Sequence, residues 1–336
     1  MSKRFLIAVC AALLGSASLH ATDTILVASQ RSNSLEEFTQ AGAWVRTFAT
    51  TGPYAPTSMA QSPLTGEIFV TTMTTSGQQV GQYTNTILRY QVNGHFDTNW
   101  DTFTVSCGTF ACGSSSTGSI LFDSSGNLWV ATAYGLDTGE PIYIFEYLAA
   151  DLTQLNPPAQ PNPIVAQMYR GNQMAFNTSG DLCIAGFIDE DVKCFNPSTG
   201  AQTADYYTEI HASSAGGIEP AGLAFDAYNR LYLTSVFTGQ VVGEVKSGGP
   251  IVLLATLTSP PNELNSMALH AGNLYVPTYL FPPPTVSTPD AVYEVSKTGT
   301  VTNFIVGSAA PALGNDHIWG ASWIIFYCYN CVYPPS

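Results

Sequence analysis

The chain has 336 residues, of which only 10% are charged, and its 10 Lys and Arg face 24 Asp and Glu, for a formal net charge of −14. Nucleic acids and anionic membrane surfaces recruit basic patches, so this acidic balance argues against both as partners. The acidity could attract cations, although solubility is its simplest effect.

The first 21 residues have the pattern of a secretory signal peptide. Lys3 and Arg4 form a short basic start, Phe5–Leu14 is an apolar run, and small residues follow it, as they do before a cleavage site. The apolar run is too short to span a bilayer, and no later stretch reaches about 18 uninterrupted apolar residues. We therefore expect a secreted or periplasmic protein without a transmembrane segment, in which eight Lys and Arg face 24 Asp and Glu after removal of residues 1–21.

The exported part keeps six of the seven cysteines, and an oxidising compartment makes disulfides the default expectation. Their spacings favour three local bridges, Cys107–Cys112, Cys183–Cys194 and Cys328–Cys331. Cys183 and Cys194 bracket a predicted hairpin, in which facing strands bring Cβ atoms within bonding distance. A zinc site that uses Cys328 and Cys331 is the alternative, but the sequence offers no second clear pair of ligands.

A repeated pattern organises the chain: an apolar pair or triplet, a polar turn, and then an alternating apolar strand. Five copies lie at 59–70, 120–130, 174–184, 223–233 and 267–276. In the turn, Asp or Asn bonds through its side chain to the backbone, and Gly or Asn supplies a positive φ, as in a β-hairpin. Two further strand-like runs follow each hairpin, so that each unit of 43 to 60 residues predicts one four-stranded propeller blade.

The two ends of the exported chain supply the number of blades. Residues 24–28 resemble a second strand and 45–48 a fourth, with no first strand before them, whereas 319–326 resemble a first strand with nothing after it. Pairing these ends completes a sixth blade and closes the ring, which removes exposed sheet edges. We therefore predict an all-β, six-bladed β-propeller that forms one domain over residues 22–336. A β-helix or a two-sheet sandwich explains the repeat lengths less well.

The repeats Gly222–Asp226 with Leu231–Leu233, and Ser119–Asp123 with Gly126–Val130, resemble NHL repeats. They also resemble the senescence-marker-protein/gluconolactonase superfamily and the virginiamycin B lyase-like propellers. The resemblance covers essentially the whole exported chain, but it lies in residues that build blades, which specify a fold better than a function. It implies a divalent cation, usually calcium, in the channel of the lactonases, and His and Glu with magnesium at the mouth of the lyases.

The resemblance to lactonases assigns six positions near the starts of first strands to such a cation: Thr57, Gly118, Asn172, Ala221, Asn265 and Trp319. Only Asn172 and Asn265 could coordinate a metal, and no carboxylate is among the six. Hard cations take several oxygen ligands, typically with carboxylates. We therefore expect the inherited Ca²⁺ or Mg²⁺ site to be missing or rebuilt.

Four candidate catalytic residues fall in loops that open on one face of a propeller, where sites usually lie: His211, Glu219, Glu263 and His317. His317 beside Asp316 could act as a general base, because imidazole titrates near neutral pH. His211 with Glu209 or Glu219 could form a second acid–base pair. The alternative interpretation is that all of these are solvated loop residues.

Three further features have simple structural interpretations. Asp189, Glu190 and Asp191 could bind Ca²⁺, but they lack the interleaved glycine and alternating ligands of a calcium loop and predict a hairpin tip. His270 replaces the repeat's Asp and predicts a turn residue. The aromatic tail from Trp319 onwards could stack on carbohydrate, although packing of the closing strand explains most of it.

The sequence leaves two functions open. The first is a non-catalytic binding or scaffold propeller for a protein, glycan or small ligand, and it is favoured because the fold-level resemblance persists while the metal ligands do not. The second is a lactonase-like hydrolase or lyase assisted by Ca²⁺ or Mg²⁺. It would use Asn172 and Asn265 with Glu219 or Glu263 and His317, and its cation would polarise a carbonyl.

Overall fold

The structure is a computed structural model and describes residues 23–74, 80–111, 118–132, 142–157, 159, 162–168, 171–213, 215–236, 238–257, 262–264, 266–280, 290–306, 318 and 321–328. Nearly all regular structure within these ranges is β, and it forms six antiparallel four-stranded sheets. The predicted all-β, six-bladed propeller is confirmed.

Each blade is a meander, numbered here from its innermost strand. Blade 1 contains Tyr54–Gln61, Ile68–Thr74, Val80–Tyr90 and Phe96–Ala111. Blade 2 contains Ile120–Phe122, Leu128–Ala131, Ile142–Tyr147 and Ile164–Ala166. Blade 3 contains Gly171–Phe176, Leu182–Gly186, Asp191–Phe195 and Gln202–Asp205.

The second half of the ring follows the same plan. Blade 4 contains Pro220–Phe225, Leu231–Ser235, Gln240–Glu244 and Ile251–Thr256. Blade 5 contains Ala268–His270, Asn273–Pro277, Ala291–Ser296 and Val301–Val306. Blade 6 contains Ala321–Cys328, Asp23–Ser29, Ser34–Phe38 and Trp44–Thr50.

Blade 6 closes the ring by joining strands from the two ends of the chain. Its first strand, Ala321–Cys328, pairs antiparallel with Asp23–Ser29, and the register places Asp23 opposite Cys328 and Ile25 opposite Phe326. The predicted closure is therefore confirmed. It satisfies backbone groups that would otherwise remain on two exposed sheet edges.

The hairpin turns between first and second strands have the predicted chemistry. Asp123 accepts hydrogen bonds through Oδ1 from the amides of Ser125 at 2.8 Å and Asn127 at 2.9 Å. Gly126 adopts a φ of +85°, which costs glycine little because it has no Cβ. Asn177 and Asp226 make the same turns in blades 3 and 4.

The core lies between neighbouring blades rather than at one centre. Between blades 1 and 2, the fully buried Trp100 packs edge-on against Phe69 with ring centroids 5.1 Å apart, and its Nε1 donates to the carbonyl of Leu152 at 2.9 Å. Burial of each such side chain contributes about 1.5–3 kcal/mol. Stability is therefore distributed over the interfaces between blades.

Short elements outside the blades were not predicted. They are the helix Tyr207–His211, the 3₁₀ turn Ala149–Asp151, and a small sheet in which Asn262–Glu263 pairs with Tyr279–Leu280. Among the described residues, no helix has the length and hydropathy needed to cross a membrane.

One predicted disulfide is present. Cys183 and Cys194 face each other across the second and third strands of blade 3, are fully buried and are bonded. Cys328 is also disulfide-bonded, which argues against the zinc alternative because zinc takes thiolates. Its predicted partner Cys331 lies outside the described residues, as does the Cys107–Cys112 bridge, since Cys112 and the side chain of Cys107 are not described.

Candidate functional site

The strand directions define two faces. Every first strand runs towards the turn that leads into the second strand, and these turns, together with those between third and fourth strands, form the lower face. Loops between second and third strands, and those between blades, form the upper face. The central channel runs between the two faces and is lined by the six first strands.

Two of the predicted metal positions on the channel wall are part of the interface between blades 1 and 2. Thr57 is buried, and its hydroxyl donates to the carbonyl of Thr71 at 3.0 Å. The Thr71 hydroxyl donates to the carbonyl of Gly118 at 3.1 Å. A Cβ at position 118 would overlap the carbonyl oxygen of Ala131, so no ligand side chain fits there.

Of the other four predicted metal positions, one carries a described side chain that could bind a metal. Ala221 is fully buried and has no polar side-chain atom, whereas Asn172 is 7% exposed at the start of the first strand of blade 3. Asn265 and Trp319 lie outside the described residues. Among the described members of the six predicted metal positions, Asn172 alone therefore carries an amide, and none carries a carboxylate.

Polar side chains within or just before the first strands connect the blades around the channel. We call them the channel girdle: Ser58, Ser119, Gln173, Ser266 and Ser322, all buried. Ser58 Oγ accepts from the amide of Ile120 at 3.0 Å, and Ser119 Oγ from that of Met174 at 3.1 Å.

The girdle continues from blade 5 to blade 6 and back to blade 1. Ser266 Oγ donates to the carbonyl of Ser322, and Ser322 Oγ donates to the carbonyl of Pro56, both at 3.0 Å. These hydroxyls satisfy backbone groups on the free edges of first strands, which would be costly to bury unpaired. The girdle hydroxyls therefore form hydrogen bonds that connect neighbouring blades.

Blade 4 has Gly222 where the other blades have a girdle side chain, and Gln173 compensates for it. Its Oε1 accepts from the amides of Leu223 at 3.0 Å and Met267 at 2.8 Å, and its Nε2 donates to the carbonyl of Met267 at 2.8 Å. Thr234 completes the link by accepting from the Gly222 amide and donating to a carbonyl of blade 5. The repeat pattern did not predict this role for Gln173.

His211 lies on the upper face, at the end of the helix Tyr207–His211. Its Nε2 is 3.1 Å from Oε2 of Glu190, its Nδ1 is 2.8 Å from the carbonyl oxygen of Tyr207, and its ring stacks on that of Tyr207 at 3.8 Å. Its carboxylate partner is therefore Glu190, rather than Glu209 or Glu219. Both partners are more than one-third exposed, so water screens the pair.

For the other candidate catalytic residues, the structure describes fewer side-chain contacts. The backbone of Glu219 is held by blade 4, because its amide donates to Ser235 Oγ at 3.1 Å and its carbonyl accepts from Val236 at 3.0 Å. Glu263 belongs to the small upper sheet, opposite Tyr279. The Glu263 side chain and all of His317 lie outside the described residues, so their predicted roles stay predictions.

The Asp189–Asp191 segment contains a buried carboxylate that the sequence did not indicate. Residues 187–190 form the predicted hairpin tip, but Asp191 is 2% exposed. Burial and the neighbouring carboxylate of Asp205 raise the pKa of Asp191 to about 6, although Lys193, with Nζ at 3.6 Å from Oδ2, opposes the shift. Among the described residues, no three His, Cys, Asp or Glu are placed to hold a metal ion.

Basic side chains are distributed unevenly between the two faces, whereas carboxylates lie at both. Five of the seven described Lys and Arg lie at the lower end: Arg46, Arg89, Arg230, Lys246 and Lys297. Four of them, Arg46, Arg89, Arg230 and Lys297, form ion pairs there with Glu37, Asp97 and Asp226. At the upper end, Arg31 and Lys193 accompany seven described carboxylates: Asp189, Glu190, Asp191, Asp205, Glu209, Glu219 and Asp290.

The lower end of the channel contains a cavity that the sequence did not predict. It has a volume of about 680 Å³. First strands of five blades and the turns below them form its wall, which includes Met59, Ile120, Phe122, Asp123, Gln173, Met174, Met267, Ala268, His270, Trp323 and Phe326.

Comparison with known proteins supports the fold. No protein-family model and no curated protein matches the sequence. Solved structures with similar folds include a protein of unknown function from Bacteroides caccae, with 13% identity and a TM-score of 0.58 over 91% of this chain and 99% of that one. They also include a nidogen/laminin complex, with 11% identity and a TM-score of 0.57 over 92% of this chain and 100% of that one.

A streptogramin B lyase is also similar, with 11% identity and a TM-score of 0.50 over 86% of this chain and 84% of the lyase. The resemblance to the lyase-like propellers is thus confirmed at the level of the fold. Identities this low carry no functional assignment, because one fold hosts many functions.

Proposed function

We propose that the protein is an exported, non-catalytic propeller that binds a partner through its upper face. The channel wall carries this proposal. The positions that hold a cation in lactonases are here Thr57, Gly118, Asn172 and Ala221 among the described residues, and none offers a carboxylate. The neighbouring hydroxyls bond one blade to the next, whereas a hard cation takes several oxygen ligands that point at it.

Export is supported by the signal pattern in residues 1–21 and by the disulfide between Cys183 and Cys194. Disulfides form and persist in oxidising compartments, outside the cell or in the periplasm. Fractionation of the native host should recover the protein outside the cytoplasm, with residues 1–21 absent from the mature N-terminus. Recovery of the full-length chain in the cytoplasm with reduced cysteines would contradict export.

The charges of the upper face favour a cationic partner. Seven described carboxylates stand there against Arg31 and Lys193, and Arg31 already lies 3.8 Å from Asp290 and over the ring of Tyr279. Complementary charge steers association and sets orientation. Of the three partner classes open from the sequence, a protein or peptide with a basic segment fits this face best. The solved nidogen/laminin complex contains a similar fold.

Titration calorimetry with a short Lys- and Arg-rich peptide tests this proposal. Binding should weaken as salt rises, because exposed charges are screened over about 10 Å at 0.1 M salt. The triple variant Asp189→Asn, Glu190→Gln, Asp205→Asn should weaken it at least about fivefold. A matched triple variant on the lower face, Glu67→Gln, Asp151→Asn, Asp181→Asn, should not. Equal loss in both variants, or no binding at low salt, would contradict the proposal.

The enzymatic alternative predicts different behaviour. A cation in the channel would raise the melting temperature by mass action, and Asn172→Ala would abolish that shift. We expect equal melting temperatures in Ca²⁺, Mg²⁺ and EDTA. A metal-dependent rise that Asn172→Ala removes, together with hydrolysis of a lactone, would instead establish a hydrolase.

A further inference from the structure

The cavity at the lower end of the channel has the size of a small-molecule site. Its volume is about 680 Å³, and ligand pockets typically measure about 300–1,000 Å³. It opens on the face opposite the loops that carry the candidate catalytic residues. A ligand here would be separate from a partner bound to the upper face.

The wall of the cavity contains flexible apolar side chains beside polar ones. Met59, Met174 and Met267 come from blades 1, 3 and 5, and Trp323 lies beside them in blade 6. Methionine side chains are flexible, and their sulfur atoms make favourable contacts with aromatic rings. Such side chains suit contact with a molecule that contains a ring.

The charged and amide groups of the wall are already engaged. Asp123 is the single carboxylate among the described lining residues, which include no Lys or Arg. Its two oxygens accept from the amides of Ser125 and Asn127, the side-chain amide of Asn127 and the indole of Trp129. Gln173 forms three hydrogen bonds with Leu223 and Met267. An anionic ligand would therefore lose its hydration without gaining a counter-charge, which is strongly unfavourable.

Blades 5 and 6 contribute a stacked aromatic pair to the lining of the cavity. The rings of His270 and Phe326 are stacked with centroids 3.9 Å apart and an angle of 6° between their planes, and Tyr275 packs edge-on against Phe326 at 4.7 Å. We infer that the lower end of the channel binds a small, neutral molecule with an aromatic ring.

The neutral fluorescent probe N-phenyl-1-naphthylamine tests this site directly. Its emission should rise saturably with one equivalent per chain and quench the tryptophan emission. The anionic probe 1-anilinonaphthalene-8-sulfonate should bind at least about tenfold more weakly, because its sulfonate would be desolvated without a partner. The absence of saturable binding of the neutral probe would overturn the inference.

Two substitutions at the same repeat position provide a matched comparison. Ala268→Phe fills the cavity, whereas Ala175→Phe lies beside Met174 in blade 3 and outside the lining. We expect affinity for the neutral probe to fall at least about tenfold for Ala268→Phe, or 1.4 kcal/mol, and to stay within about twofold for Ala175→Phe. Equal effects would overturn the inference.

A milder variant keeps the test decisive if Ala268→Phe does not fold. His270→Ala removes one ring of the stacked pair at the end of the first strand of blade 5, where this side chain is only partly buried, and it should weaken the probe about threefold or more; unchanged affinity would overturn the inference. The upper-face variant Asp189→Asn, Glu190→Gln, Asp205→Asn should bind the probe as the wild type does. Failure of this site is thereby distinguished from failure of the proposed function.

Discussion

The side-chain amide of Gln173, in blade 3, forms two hydrogen bonds of 2.8 Å with the backbone of Met267, in blade 5. Gln173 Oε1 also accepts a hydrogen bond from the amide of Leu223 in blade 4. In that blade the girdle position is occupied by Gly222, which has no side chain to make such a bond. One side chain therefore holds three consecutive blades, at the point where the repeat lacks its usual hydroxyl.

Gln173→Met should destabilise the protein by about 3 kcal/mol, because it keeps the volume but leaves three buried backbone groups without partners. Urea unfolding followed by circular dichroism measures this loss. Gln154→Met is the control, since Gln154 is exposed, and it should change the unfolding free energy by less than about 0.5 kcal/mol. Equal stability of the two variants would show that Gln173 does not join the blades.

Gly222→Ser should destabilise the protein, although serine is the residue that other blades carry at this position. Its Cβ would lie 2.5 Å from Oγ1 of Thr234 and 2.8 Å from the carbonyl carbon of Ser266. Overpacking of this kind typically costs about 1–3 kcal/mol. Thermal melting compares this variant with Ala201→Ser on the exposed outer surface. A melting temperature equal to that of the wild type would disprove the close approach of blades 4 and 5.

The double variant Cys183→Ala, Cys194→Ala should lose about 2–4 kcal/mol of unfolding free energy, the usual contribution of a disulfide. Because both sulfur-bearing residues are fully buried, dithiothreitol should reduce this bond in the native protein no faster than the protein unfolds. Mass spectrometry of alkylated peptides follows the reduction. Rapid reduction in native buffer would contradict the burial.

Stability at low pH should depend on Asp226. Burial opposes its ionisation, but hydrogen bonds from Arg230, Lys297 and backbone amides outweigh that effect and hold the pKa of Asp226 below its ordinary range. Because the folded pKa is lowered, the contribution is complete above the unfolded value of about 3.9 and is lost as pH falls further.

Asp226→Asn should therefore be less stable than the wild type by about 1.5–3 kcal/mol at neutral pH, the range for hydrogen bonds to a charge. The difference in unfolding free energy between the wild type and Asp226→Asn should become smaller below about pH 4. Urea titrations from pH 2.5 to 7 measure it, and Lys297→Met should reduce the pH-dependent part. Parallel curves for wild type and Asp226→Asn would refute the expected linkage.

Asp191 should have the opposite effect on stability. Burial first, and then Asp205, raise the pKa of Asp191 to about 6, so folding is penalised once the pH exceeds the unfolded value of about 3.9. Between pH 4 and 7.5, the stability of Asp191→Asn relative to wild type should improve by about 2 kcal/mol. Asp205→Asn should move the midpoint of this change to lower pH. No change with pH would contradict the burial of an ionisable Asp191.

The fold was predictable because its signals are local and repeated. Turns such as that at Asp123 combine a side-chain acceptor with Gly126, and each is followed by an alternating strand, so a single unit could be identified and then counted. Closure followed from the incomplete first and last units. The small upper sheet around Glu263 and Tyr279 escaped prediction because two-residue strands leave no periodic pattern.

The candidate sites were less predictable because they depend on distances between blades. The pairing of His211 with Glu190 joins a helix to a loop of the neighbouring strand pair, and sequence separation pointed instead to Glu209 or Glu219. The role of Gln173 arises only because Gly222 lies opposite it. The lower cavity is formed by side chains from five blades, and each looks like an ordinary core residue in its own repeat.

The register that sets Asp23 opposite Cys328 has a consequence for biosynthesis. The strand Asp23–Ser29 is synthesised well before its partner Ala321–Cys328, so blades 1 to 5 can assemble during translation while blade 6 stays unfinished. Contacts this distant in sequence form slowly. A circular permutant that links residues 328 and 23 and opens in the loop at Gly216 would make that sheet contiguous in the chain, and refolding should then be faster.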